Sequence, residues 1–130
     1  MDIKFDKNNN RSCHNVILTE DSREYLIGRI FEKDKKFYII KDVILDIAGL
    51  RSVISYMKRV DVIDAGHGLS FSYNEYWEDY DVSCNYMNIG SVDIEDKIFK
   101  NRHGRLTVSE LEEIVDFMAR QVFDWKRVGF

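Results

Sequence analysis

Leu69-Ser70-Phe71-Ser72-Tyr73-Asn74 alternates apolar and polar side chains without a break, and Val82-Ser83-Cys84-Asn85-Tyr86 does so again shortly afterwards. A period of two puts Leu69, Phe71 and Tyr73 on one side of an extended chain, with Ser70, Ser72 and Asn74 on the other. Two such runs joined across the Glu78-Asp79 turn region predict an antiparallel hairpin with one buried and one solvated face. Val92-Asp93-Ile94-Glu95 extends the same pattern to a third strand.

Outward from this hairpin, Tyr25 to Phe31 and Phe37 to Ile40 are rich in β-branched and aromatic residues and flank the charged tetrapeptide Lys33-Asp34-Lys35-Lys36. They predict a second hairpin. Val16-Ile17-Leu18 reads as a brief strand, Ile3 and Phe5 as a short edge strand, and Asn8-Asn9-Asn10-Arg11-Ser12 as the loop between them. Asp61-Val62-Ile63-Asp64 reads as one more short strand, closed by Ala65-Gly66-His67-Gly68.

Two stretches follow a different period. Leu50, Val53, Ile54 and Met57 fall at i, i+3, i+4 and i+7, with Lys58 and Arg59 placed to complement a helix C-terminus. Near the end, Thr107-Val108-Ser109-Glu110 has the pattern of a capping box, and Ser109 with Glu112 overlaps it. Val108, Leu111, Val115, Met118, Val122 and Trp125 continue as a helical stripe, widened by Ile114 and Phe117. No repeat and no linker stands out. The expected architecture is α+β: one globular domain over residues 1–130, with a mainly antiparallel sheet of about five or six strands and two helices packed on one face.

The composition suits that reading, since 130 residues with 45% apolar and 32% charged side chains can bury a core unaided. Two cysteines are too few for a disulfide framework, and the opening Met1-Asp2-Ile3-Lys4-Phe5-Asp6-Lys7 lacks the apolar run of a secretory signal. No stretch has the roughly 18 consecutive apolar residues a membrane span needs. The expectation is a cytoplasmic protein without a membrane partner and without a cofactor.

Charge is divided sharply along the chain. The whole sequence holds 23 acids and 19 bases, yet Val60 to Asp96 contains nine acids and no Lys or Arg. Such a division bears on partners more than on fold. At its centre stands Tyr73-Asn74-Glu75-Tyr76-Trp77-Glu78-Asp79-Tyr80-Asp81. One reading makes this a strand end whose acids face water while Tyr73 and Trp77 enter the core. The other makes it a binding surface, with Tyr76, Trp77 and Tyr80 as rigid anchors and Glu75, Glu78, Asp79 and Asp81 as charge partners. A basic protein such as a nuclease or toxin domain is complementary to it; direct contact with nucleic acid is disfavoured by the same electrostatics.

Three other groupings carry possible chemistry. Asp61, Asp64 and His67 supply ligand types for a divalent ion, and hence for a small metal-dependent hydrolase. Cys13 and His14 with Cys84 and His103 supply zinc-ligand types without a Cys-x-x-Cys spacing. Lys97, Lys100, Arg102, His103 and Arg105 form a basic cluster suited to phosphate. A dimer through the heptad-like spacing of the last helix is a further alternative, as a structural adaptor. In its small size, its acidity and its expected cytosolic location, the chain as a whole is similar in profile to bacterial immunity proteins. That similarity implies a non-catalytic inhibitor whose partner is a toxin domain with a basic active site.

Overall fold

In the computed structural model the described residues are 2–8, 12–64 and 68–127, with only the helix backbone described from 121 onward. The chain runs β1 (Asp2–Asn8), β2 (Cys13–Glu20), β3 (Arg23–Phe31), β4 (Lys36–Ile39), β5 (Ile44–Asp46) and α1 (Ile47–Arg59). It then runs β6 (Ser70–Asn74), β7 (Asp79–Cys84), β8 (Met87–Asp93), β9 (Ile98–Asn101), β10 (Arg105–Leu106) and α2 (Val108–Arg127). The α+β class with mainly antiparallel pairing is as expected. The strands, however, form two five-stranded sheets rather than one, ordered β1-β2-β3-β4-β10 and β5-β9-β8-β7-β6. Asp61 to Asp64 forms no strand; the chain there is held by the Val62 amide donating to the Met57 carbonyl at 2.8 Å.

Contrary to the expectation of no repeat, the order of strands exposes one. Each half is a four-stranded meander followed by a short strand and a helix, and each short strand joins the other half's sheet. Details agree down to single residues. In β3 the register slips at Ile27, between the pairs Val16–Gly28 and Ile17–Leu26. In β8 it slips at Ile89, between Val82–Gly90 and Ser83–Asn88. Gly28 and Gly90 both lie under a phenylalanine of the next strand: an added Cβ would come within 2.5 Å of the Phe37 ring in one half and 2.9 Å of the Phe99 ring in the other. Only glycine leaves room for that ring. The hairpin turns match too, with left-handed φ angles at Asp21 and Ser22 against Asn85 and Tyr86, and at Lys35 against Lys97.

Each helix begins on a side-chain cap, and that of α2 is the expected one. Asp46 caps α1 by accepting from the Gly49 amide at 2.7 Å. Thr107 Oγ1 accepts from the Glu110 amide at 3.3 Å while Glu110 Oε1 accepts from the Thr107 amide at 2.9 Å, so the reciprocal box starts at Thr107. The stripe Leu50, Val53, Ile54 and Met57 and its counterpart Leu111, Ile114, Val115 and Met118 are all buried in one core with Phe37, Phe99, Val16 and Val82. Burying such a side chain contributes roughly 1.5–3 kcal/mol. Against α1, Phe5 and His14 pack on the Tyr56 ring, at 4.0 Å and 5.3 Å between centroids. Against α2, Phe71 and Tyr80 pack on Phe117 at 4.0 Å and 5.0 Å. The two trios occupy matching places in the repeat.

The halves are joined at Asn101, which is 1% exposed. Its side-chain amide donates to the Ile39 and Ile40 carbonyls, its Oδ1 accepts from the Gly104 amide at 2.6 Å, and its backbone amide donates to the Val43 carbonyl. This satisfies the backbone groups left over where β4 and β9 each hand on to the other sheet.

Candidate functional site

The register of the second sheet sorts its side chains by face. Tyr73, Tyr80, Val92, Phe99 and Leu45 form one cross-strand row directed at the helices. Ser72, Asp81, Ser91, Lys100 and Ile44 form the adjacent row on the opposite, outer face. Asp79, two residues before Asp81 on the same strand, shares that outer face.

Asn74 shapes the turn that leads there. Its Oδ1 accepts from the Tyr76 and Trp77 amides at 3.0 and 3.2 Å, as Asn side chains do when they mimic a backbone turn. Its amide donates to Asp81 Oδ2 at 3.2 Å. Glu75, Tyr76, Trp77 and Glu78 make up the turn itself, and Glu78 takes a left-handed φ of 54°. Tyr76 is 82% and Trp77 69% exposed, the two rings meeting edge to face at 4.8 Å. Tyr73 is also exposed, so neither it nor Trp77 enters the core. Tyr80 behaves otherwise: it is half-buried, between Tyr73 and Phe117. Of the three aromatic candidates, two point outward and one supports the strand from beneath.

Beside Trp77 the outer face forms an open cleft of about 400 Å³. Asp79, Asp81, Ser91 and Lys100 line it from the outer face of the strands, together with Asp42, Asn74, Trp77, Asn88 and Arg102. The long base-free segment is therefore not base-free in space, because β9 brings Lys100 opposite Ser91. Asp79 Oδ1 is buried and has no hydrogen-bond partner among the described residues. Burial, and after it the neighbouring Asp81 charge, push the Asp79 carboxyl above its ordinary value, while a hydrogen bond from Ser91 acts the other way. Asp42, Ser91, Lys100 and Arg102 were not legible as part of this site, since only strand pairing brings them to it.

The remaining groupings are dispersed. Asp61 and Asp64 are exposed after α1, and His67 lies outside the described residues. His14 is buried, its Nδ1 2.6 Å from the Tyr56 hydroxyl and its Nε2 2.8 Å from Glu32 Oε1. The hydrogen bond from His14 lowers the Glu32 carboxyl below its usual range. Cys84 donates to Glu110 Oε2 at 3.4 Å, and burial raises its thiol. Cys13 is wholly buried, and His103 is exposed on a different segment. Among the described residues no three His, Cys, Asp or Glu side chains converge as metal ligands. The basic cluster divides as well: Arg102 reaches the cleft, whereas the Arg105 guanidinium lies over Tyr38 of the first sheet at 5.0 Å. The α2 stripe through Met118 is taken up by the core, while the side chains of Val122 and Trp125 lie outside the described set. Among the described residues no helix is long and apolar enough to cross a membrane. Compared with family models, curated proteins and solved structures, the chain matches none.

Proposed function

We propose that this protein is a non-catalytic inhibitor of the immunity type, which neutralises a toxin or nuclease domain by seating the Glu75–Asp81 surface against its basic active site. The observation that carries this is the pair Tyr76 and Trp77, two large aromatic rings held out in solvent beside acid-bearing strands. Aromatic side chains of this kind serve as rigid anchors in protein interfaces. Glu75 and Glu78 flank them and are exposed, suited to steering a basic partner; Asp79 and Asp81 lie further in, suited to pairing with it. Tyr80 contributes from below, by fixing β7 against α2.

The test is capture of a binding protein from the native host on the immobilised full chain, followed by kinetic binding of that partner at two salt concentrations. Glu75→Lys with Glu78→Lys is expected to slow association and flatten its salt dependence, because exposed charges act over a screening length of about 8 Å at physiological strength. Trp77→Ala is expected to speed release, at a cost of about 2 kcal/mol in affinity, with association nearly unchanged. A substitution at Arg105, on the first sheet, that abolishes binding with the charge reversals silent would move the functional face elsewhere.

A further inference from the structure

We propose that β6 is a dimerisation edge, on which a second copy of this chain lays its own β6 antiparallel, making one ten-stranded sheet from two molecules. β6 closes one end of its sheet, and among the described residues no strand pairs with its outer side. Sheet edges are ordinarily protected from added strands by charged side chains, proline or a bulge. Ser70-Phe71-Ser72-Tyr73-Asn74 holds no charge and no proline, and its register with β7 runs without a slip. The Leu69 amide, just before the strand, donates to Glu113 Oε1 at 3.2 Å, so the open edge starts at Ser70.

The repeat supplies an internal comparison. β1 stands at the same place in the other half, since Phe5 pairs with Val16 as Phe71 pairs with Val82. Lys4 to Asn8 and Ser70 to Asn74 alternate between exposed and half-buried positions in the same order. Yet β1 has Lys4, Asp6 and Lys7 where β6 has Ser70, Ser72 and Tyr73. Lys4 and Lys7 are also tied to Glu24 and Glu32 by ion pairs at 2.6 and 3.5 Å. One fold thus carries a protected edge and an open one.

The open edge is complementary to a copy of itself. Directly opposed residues of an antiparallel pair share a face, so both copies keep their helices on one side when aromatic meets aromatic and polar meets polar. A two-fold axis at Ser72 does this and engages all five residues: Ser72 faces Ser72, Phe71 faces Tyr73, and Ser70 faces Asn74. Aromatic and hydroxyl pairs across strands are favourable, and no like charges are opposed. Tyr73, 56% exposed in the single chain, gains the Phe71 ring of the second copy. The two Asp81 residues lie three strand spacings apart, about 14 Å, beyond a screening length of ~8 Å. Antiparallel pairing sends the two Glu75–Glu78 turns to opposite ends of the shared strands, so the dimer does not depend on the inhibitor reading.

The test is sedimentation equilibrium of the full chain from ~1 µM to ~1 mM. One five-residue strand makes a small contact, so a reversible dimer with a dissociation constant of ~10–100 µM is expected. Ser72→Lys opposes two ammonium groups at the axis, and Ser70→Lys places one at each end. Each is expected to weaken the dimer at least ~10-fold, with melting at ~1 µM unchanged, whereas Asp6→Lys on the protected edge leaves the dimer as it is. Under mild oxidation Ser72→Cys is expected to cross-link two chains at least ~10-fold faster than Asp6→Cys, because opposed Cα atoms at ~4.5–5.5 Å are within disulfide reach. Cys13 and Cys84 are common to both variants. A chain that stays monomeric at ~1 mM, a dimer indifferent to both lysines, or equal cross-linking from both cysteines overturns the proposal. So does a monomeric chain whose captured partner is lost in Ser72→Lys, which would assign the edge to a strand of another protein.

Discussion

Asp79 and Tyr86 show how single residues carry costs that the surrounding fold tolerates. The Asp79 carboxyl is raised first by burial and then by Asp81. A group with a raised value in the folded state holds its proton more tightly there, so it favours folding at low pH and loses that contribution as pH rises through the raised value. Asp79→Asn is therefore expected to be more stable than the parent at pH 7, by about 1 kcal/mol. The two melting curves should converge as pH falls through the ordinary carboxylate value near 4. A gap independent of pH would mean that ionisation is not its cause. Tyr86 is a bulky residue at φ 67°, second in a tight turn after Asn85 at φ 51° and fully exposed. Turns with two such residues favour Asn-Gly. Tyr86→Gly is expected to raise stability by about 0.5–1 kcal/mol in thermal or denaturant unfolding, because it removes left-handed strain without removing packing. A destabilised variant would show that the ring makes a contact in solution.

Strands and helices differ in how much of them could be read locally. The helical stripes as far as Met118, the Thr107 box and the Tyr25–Ile40 hairpin depend on neighbours a few residues apart, and each stands where the pattern predicts. Short strands such as β5, β9 and β10 have no pattern long enough to announce them. The repeat is written in the sequence as well. Ile27-Gly28-Arg29-Ile30 followed by Asp34-Lys35-Lys36-Phe37 returns as Ile89-Gly90-Ser91-Val92 followed by Asp96-Lys97-Ile98-Phe99. Its glycines sit under equivalent phenylalanine rings, so the two halves should respond alike to substitution. Gly28→Ala and Gly90→Ala are each expected to cost about 1–3 kcal/mol, with neighbouring backbone or ring forced to move. Equilibrium unfolding of both variants checks this; a neutral Gly90→Ala would break the structural equivalence of the two positions.

Taken whole, the molecule is two copies of one pattern that have exchanged a strand, with a single core between them. Neither half can complete its own sheet, because β5 pairs with β9 and β10 pairs with β4. Fragments cut in the connection between α1 and β6, residues 1–63 and 64–130, are expected to be unfolded separately and to regain structure on equimolar mixing. Circular dichroism and amide spectra read this directly. A cooperative melt from the first fragment alone would show that the exchange is dispensable.

By itself the sequence determined the α+β class, the two amphipathic helices, the capping box and the concentration of acids and aromatics at residues 73–81. Each of these is written in periods of two or 3.6, or in composition, over distances shorter than one element. Tertiary structure alone decided that there are two sheets, that Tyr76 and Trp77 face water while Tyr80 braces α2, and that Lys100 and Arg102 share a cleft with Asp79 and Asp81. Backbone hydrogen bonding between strands is nearly blind to side-chain identity, so which strands pair is settled by packing between residues far apart in the chain. The face a residue joins, and the charges it meets there, follow from that pairing.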